Sequence, residues 1–502
     1  MEDGLSKRNL WTYTLGSIGR DMASMLYSTY LLTFVLYTKS LTDAQFSVIS
    51  MSMIGIMIFD ALNDPIMGNI IEVTRTKWGK FKPWAAIGMV CTALVYLVSF
   101  TNGRDGWGYV ALHIAMYFAY SITFTMNDVA YWGMLPSLSS GKRDRDLLTS
   151  RTILFAGIGQ GIAAIVAPTF TAGGLTIGGS AVNAYAAIAM IFCVFFIGMQ
   201  MITLLGVKEK PLPPKGSATI NKVSLKTVFD TVKNNDQLLW CIAIFIFYTV
   251  GSNLINSVLG TNYIYFEFGY NGLLVTVFSA LGAGAAALVM MFFTPIAKRF
   301  TRDQLIRLAI ACVAGGSAFM LLAGLLVPSS AGIFKFVLMM LGNLFAFTGQ
   351  NIFYLVIMVC ISNTIEYNEW KTGARAEGII YAIRQLLTKA GHAVIQGMVL
   401  AIFLLTGVRD FTNRIADFEN QASKGLIDGT QKAAGIKAVL ASIPSGKSAA
   451  LLVCITVLPT LFALTAYYFY SRKFTITEER YEEILADLKA RNEVTAAAPS
   501  QC

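Results

Sequence analysis

Twelve apolar runs, each close to the length needed to cross a lipid bilayer, leave this chain little choice of fold. They fall at 10–37, 45–71, 83–100, 109–132, 152–170 and 185–205, then at 238–265, 273–293, 305–327, 333–361, 379–405 and 449–470. A bilayer core takes about 20 apolar residues of helix. In hydrocarbon the backbone must satisfy its own hydrogen bonds, so each run is expected as a helix. The composition agrees: 55% of residues are hydrophobic and 14% charged, against roughly 25% charged in soluble domains. The expected fold class is an all-α membrane protein of twelve transmembrane helices in two six-helix pseudo-repeats.

The two sets of six divide the chain. Residues 1–206 form the first half and 238–470 the second. A hydrophilic stretch, 207–237, joins them and carries Lys208, Lys210, Lys215, Lys222, Lys226 and Lys233 with Pro211, Pro213 and Pro214. Pro-Ile recurs before a basic loop in both halves, in DPIMGN at 64–69 and TPIAKR at 294–299, as a duplicated unit would place it. Residues 471–502 are too polar for a span. Ile476, Tyr481, Ile484, Leu485 and Leu488 give them an apolar stripe, and Thr475 with Glu478 suggests a capping box. A short amphipathic helix is expected there.

The formal charge of +10 has a simple reading in such a chain. Lysine and arginine gather in alternate short loops: Arg75, Lys77, Lys80 and Lys82; Lys142, Arg143 and Arg145; Lys298, Arg299 and Arg302; Lys371 and Arg375. The positive-inside rule puts these loops and both termini in the cytoplasm and removes the need for a nucleic-acid partner; the expected location is a bacterial inner membrane. The long stretch 407–447 then falls outside. The seven cysteines form no CxxC pair and read as small buried apolar residues. ASIPSGKS at 441–448 is one residue short of a phosphate-binding loop and follows no strand. No metalloprotease or nucleophile-elbow motif is present, so no enzyme is expected.

What remains is charge inside the spans. The first carries Arg20 and Asp21, the second Asp60 and Asp64 with Asn63, the fourth Thr125, Asp128 and Trp132, the fifth Arg151, and the eleventh Arg384 and Lys389. Ionisable groups at bilayer depth are costly and by default mark a pathway. Asp60 and Asp64 are four residues apart, so one helix face presents both. Their hard oxygens suit Na⁺, Li⁺ or a proton, with a hydroxyl available from Thr125. Asp21, Asp128, Arg151, Lys389 and Trp132 suit a sugar: charged groups bind its hydroxyls and an indole stacks on its C–H face. The alternative for any one pair is that base and acid merely neutralise each other and pin two helices.

These residues carry a resemblance. DALNDPIMG at 60–68 and WGKFKPW at 78–84 are its most specific marks, supported by GRD at 19–21, NDVAYWGMLPSL at 127–138, EYNEWKTGAR at 366–375 and YEEI at 481–484. The chain resembles the glycoside–pentoside–hexuronide:cation symporters, of the melibiose-permease-like kind, within the major facilitator fold. The resemblance spans nearly the whole length. It implies that Asp60, Asp64, Asn63 and Thr125 bind the coupling cation, with Asp60, Asp64 and Thr125 as metal ligands if that cation is Na⁺. It implies that Asp21 and Asp128 bind sugar, with Arg20, Trp132, Arg151, Lys389 and Tyr354 in the sugar pocket or its charge network. Arg384 is a departure, a base where a neutral residue stands in the melibiose carrier, and it favours an acidic sugar such as a hexuronide or glucuronide.

The expected function is alternating-access symport of a sugar or glycoside with Na⁺ or H⁺. No catalytic residue and no cofactor beyond the coupling ion is expected. The expected partners are the sugar, the monovalent cation and the lipid bilayer, and the chain is expected to act as a monomer. Two rival readings remain open at this level: an uncoupled sugar facilitator, and a carrier of a non-sugar organic anion.

Overall fold

The computed structural model describes residues 5–138, 142–208, 232–373 and 377–497. The prolines of the expected linker, its Lys210, Lys215, Lys222 and Lys226, and Arg375 of the basic loops lie outside the described residues. Among the described residues the chain is built from helices, with no β-strand. The first half contributes α1 (Lys7–Thr38), α2 (Asp43–Val73), α3 (Lys82–Thr101), α4 (Gly106–Leu138), α5 (Lys142–Thr171) and α6 (Ala181–Gly206). The second contributes α7 (Asp236–Asn256), α8 (Val258–Phe268), α9 (Gly272–Ala297), α10 (Arg302–Leu326), α11 (Ile333–Thr372) and α12 (Glu377–Thr406). Then come α13 (Arg409–Ser423), α14 (Gly429–Ala441), α15 (Ser445–Lys473) and α16 (Glu478–Ala497).

Among the described residues eleven candidate spans are long and apolar enough to cross a membrane, α7 and α8 counting as one. The 32-residue α1 makes the twelfth; Lys7, Arg8, Arg20 and Asp21 hold its mean hydropathy down. The run 238–265 does not fold as one uninterrupted helix. Ser257 leaves helical geometry and its hydroxyl accepts from Leu259 N–H, opening α8. That break falls where the chain passes between two compact units.

The larger unit holds residues 1–218, 257–280 and 396–451. Here α1 packs on α5 and α6, and α4 on α2 and α3. A Cβ on Gly159 would come 2.2 Å from the Ile18 carbonyl, so only glycine allows α5 this approach to α1. Neighbouring Gly157 and Gly161 face open space, so the spacing of the three glycines overstates the contact. Tyr13 of α1 and Tyr131 of α4 stack at 4.5 Å, and each hydroxyl donates to the other residue's carbonyl. This doubled clasp fixes the register of α1 against α4 beside the buried charges described below.

The stretch 407–447 is a second surprise. Its α13 and α14 form a polar hairpin docked by buried ions on the turns at 38–43 and 178–181. Arg409, 2% exposed, lies over the Phe46 ring, pairs with Asp43 at 2.5 Å and donates to the Leu41 carbonyl. Asn420 donates to the Thr38 carbonyl. Glu419 accepts from Ala181 N–H, the first residue of α6, and from Lys432 of α14, which also donates to the Gly179 carbonyl. Burial pushes the Glu419 carboxyl above its ordinary range, only partly offset by Lys432, Ala181 N–H and the Tyr270 hydroxyl. Lys447, from the rejected phosphate-loop run, donates to the Gly407 carbonyl and lies over Phe411.

The second unit holds 219–256, 281–395 and 452–502. Gly316 of α10 and Gly342 of α11 let the two backbones touch: an added Cβ on either would come within 2.5–2.8 Å of the other's carbonyl oxygen. Arg302, at the start of α10, pairs with Glu478 and donates to the Ile476 carbonyl. Trp370 of α11 donates to Asp487 and its carbonyl accepts from Arg491. The expected tail helix is therefore present and docked, but its cap differs from the sequence reading. Thr477, not Thr475, accepts from Arg480 N–H. Thr475 instead uses its own N–H on Gln237, and Glu478 is drawn to Arg302 rather than back to the cap.

Candidate functional site

Two polar clusters meet along α4 in the larger unit. The first joins α2 to α4. Asp60 and Asp64 lie one turn apart on α2, and Ser121 and Thr125 lie one turn apart on α4. The two ladders run in register. Thr125 Oγ1 donates toward Asp60 Oδ1 at 3.2 Å and Asp64 Oδ1 at 3.3 Å. Ser121 Oγ donates to Asp60 Oδ1 at 2.7 Å. Both hydroxyls are buried, while both carboxylates are partly exposed. Asn63 sends its amide to the Ser121 carbonyl at 3.4 Å, holding α2 to α4 at that level. Pro65, next to Asp64, has no N–H to return to the Ala61 carbonyl. The cluster is thus a set of hard oxygens from two helices, the donor type that suits a small hard cation or a proton.

The second cluster joins α1, α4 and α5. Arg20 is 3% exposed. Its Nε and Nη2 donate to Asp21 Oδ2 at 3.0 and 2.7 Å. Its Nη1 stands 2.9 Å from Asp128 Oδ1, an ion pair outside good hydrogen-bond alignment. The guanidinium also lies over the rings of Tyr131 and Trp132, at 4.6 and 5.1 Å. Gln160 of α5 donates to the other Asp21 oxygen at 3.1 Å. One base thus bridges two acids from different helices, flanked by an indole. Asp128 has 39% of its side chain exposed.

Arg151 does not join that cluster. Its guanidinium lies over Trp11 at 5.2 Å, nine residues before Arg20 and so about 13 Å along α1. Tyr354, Arg384 and Lys389 belong to the second unit. Tyr354 stacks on Tyr248 of α7 at 5.9 Å. Arg384 reaches Met358, one turn beyond Tyr354 on α11, through an Nη1–Sδ contact of 3.9 Å. Its Nε is buried without a hydrogen-bond partner among the described residues. Lys389 is half-buried on the same helix.

Sequence reasoning passed over Ser121 and Gln160. Ser121 carried a usable signal: with Thr125 it repeats the four-residue spacing of Asp60 and Asp64. Gln160 carried none, being an uncharged residue in a glycine-rich run.

Membrane-length helices with ionised groups held in their midst fit a membrane transporter. Residues 12–478 match the family described as MFS/sugar transport protein, and the chain belongs to that family. The lactose permease of Lactobacillus delbrueckii subsp. bulgaricus is 29% identical over 502 residues, covering 96% of this chain and 72% of its own length. The glucuronide carrier protein homolog of Escherichia coli K12 is 22% identical over 508 residues and covers 98% of both chains. Among solved structures, a D-xylose-proton symporter matches with a TM-score of 0.54 at 14% identity, covering 88% of this chain and 98% of that one. At that identity the likeness is one of fold.

Proposed function

We propose that this protein carries a sugar or glycoside across the membrane together with a monovalent cation, Na⁺ or H⁺, by alternating access. The cation is held at Asp60, Asp64 and Thr125, with Asn63 fixing the helix pair. The sugar is held at Asp21, Asp128 and Trp132, with Arg20 orienting both acids. The observation that carries this reading is the placement of α4. Thr125 touches both α2 acids, and Asp128, three residues later, stands against Arg20. About 4.5 Å of one rigid helix separates the two sites. Seating a cation pulls on Thr125 and moves Asp128, so each ligand changes the other's affinity by the same factor. The charge of the basic loops supports cytoplasmic termini, and this reading takes the membrane to be a bacterial inner membrane and the working unit to be a monomer.

Uptake in membrane vesicles tests this. Labelled sugar accumulates under an imposed Na⁺ or proton gradient, and Asp60→Asn and Asp64→Asn abolish the gradient dependence. Normal cation-driven accumulation in both variants overturns the assignment.

One observation favours a narrower substrate. Arg384 has no carboxylate within ion-pair reach among the described residues and one buried donor unmet. A guanidinium in a membrane span calls for a matching partner, which favours an acidic substrate class. A glycoside bearing a carboxylate, such as a hexuronide, meets this requirement where a neutral sugar does not. Inhibition of uptake by methyl glucuronide and by methyl glucoside distinguishes the two. Equal potency removes the narrower reading and leaves the sugar assignment intact.

A further inference from the structure

Ser121 is the shortest polar contact Asp60 makes with α4, yet neither the acid pair nor a sugar requires it. A proton needs a single carboxylate oxygen. A metal ion leaving water needs several oxygens around it to replace its hydration shell. The geometry at α2 and α4 distinguishes these demands. Thr125 serves both acids at nearly equal distance, 3.2 and 3.3 Å, whereas Ser121 serves only Asp60, at 2.7 Å. From α4, Asp60 therefore receives two hydroxyls, Ser121 and Thr125. Ser121 is also held twice, by its own hydroxyl on Asp60 and by the Asn63 amide on its carbonyl. At 4% exposure it is shielded from competing water. A serine hydroxyl has one proton and two lone pairs. It therefore keeps its proton on Asp60 while turning a lone pair to an ion seated beside that carboxylate.

We infer that Ser121 is the residue that makes this site prefer a metal ion of the Na⁺ class to a proton, by adding a neutral oxygen at the Asp60 end. The inference rests on the cation assignment of Asp60 and Asp64 above.

The test measures cation response in two ways on the full-length protein. One is the Na⁺-dependent rise in thermal unfolding temperature of detergent-solubilised protein, with Li⁺ and choline as comparison salts. The other is the ratio of Na⁺-driven to proton-driven uptake in vesicles. Ser121→Ala is expected to raise the Na⁺ concentration for half-maximal thermal shift about tenfold, or about 1.4 kcal/mol, and to lower the uptake ratio to match. Ser121→Thr, which keeps the hydroxyl, restores both toward wild type. Unfolding temperature without Na⁺ shows whether each variant is folded; if Ser121→Ala is not, Ser121→Thr against Ser121→Val gives the same comparison at matched size. An unchanged Na⁺ midpoint and ratio in Ser121→Ala overturn the inference. So does a wild-type protein that responds to protons but not to Na⁺. Asp60→Asn separates this failure from that of the underlying reading. If it loses both cation responses while Ser121→Ala behaves as wild type, only the role of Ser121 is lost. If Asp60→Asn keeps both, the cation site itself is misplaced.

Discussion

Two arginines, one in each unit, occupy membrane spans in opposite ways. Arg20 is charge-matched: two carboxylates, two aromatic faces and almost no exposure, although its Nη1 meets Asp128 as an ion pair and not as an aligned hydrogen bond. Arg384 touches a thioether and, among the described residues, has no carboxylate partner. Placing a guanidinium at bilayer depth costs several kcal/mol unless it is matched. Arg20 meets that cost within the protein, so removing it damages the fold. Arg384 leaves part of it outstanding, so its removal is expected to spare the fold and, on the proposed function, to weaken substrate binding. On the proposed function, the difference makes one arginine part of the frame and the other a substrate contact.

The largest effect expected is at the charge-matched site. Arg20→Ala leaves Asp21 and Asp128 facing each other without their shared base, and breaking a buried pair costs about 3–5 kcal/mol. Thermal unfolding of the purified protein should fall by many degrees, and uptake should vanish. A fully stable Arg20→Ala protein would erase the contrast. Next is cation coupling. Asp60→Asn and Asp64→Asn should each cut gradient-driven accumulation on the order of 100-fold, with Asp60→Asn the more severe for Na⁺ because the second hydroxyl serves that end. Arg384→Gln comes third and has the opposite signature to Arg20→Ala. Its stability should hold or rise, while affinity for a carboxylate-bearing glycoside falls by about 1.5–3 kcal/mol, the value of a hydrogen bond to a charged group. Competition assays with acidic and neutral glycosides read this directly. Loss of both affinities together would place Arg384 in the frame after all.

The smallest effect lies in the hairpin. Glu419 ionises at higher pH in the folded protein than in the unfolded chain, because burial outweighs Lys432. Its contribution to stability is therefore complete below the ordinary carboxyl value of 4.5 and is lost as pH rises through the elevated folded value. Glu419→Gln should flatten that slope in a pH series of unfolding temperatures. A slope unchanged by the substitution removes Glu419 as its source.

The spans were readable because hydrocarbon imposes one demand on every residue at depth, and length with polarity records it. The acid pair was readable because a four-residue spacing means one helix face. The break at Ser257 was not, since SNLINSVLG contains no proline and the only signal is a serine that caps in place of continuing. The hairpin was hidden for a related reason. Its composition is that of a solvated loop, yet Arg409, Glu419 and Lys432 are drawn inside with Ile415, Ala416, Ile436 and Val439. The burial of the three charged side chains depends on turns more than 200 residues away in sequence, at 38–43 and 178–181. The tail cap was misplaced by two residues because two threonines compete there, and the contacts of Gln237 and Arg302 decide between them.

The hairpin also has a practical consequence. The helices entering and leaving it, α12 and α15, each pass from one compact unit to the other, at 395–396 and 451–452, while α13 and α14 stay anchored on the turns of α1, α2 and α6. Its far tip, around Lys424 to Gln431, is exposed and carries a bare leucine, Leu426. An antibody fragment raised against that tip would grip a rigid, soluble-looking epitope on a protein otherwise clothed in detergent, adding mass for particle alignment without covering either polar cluster.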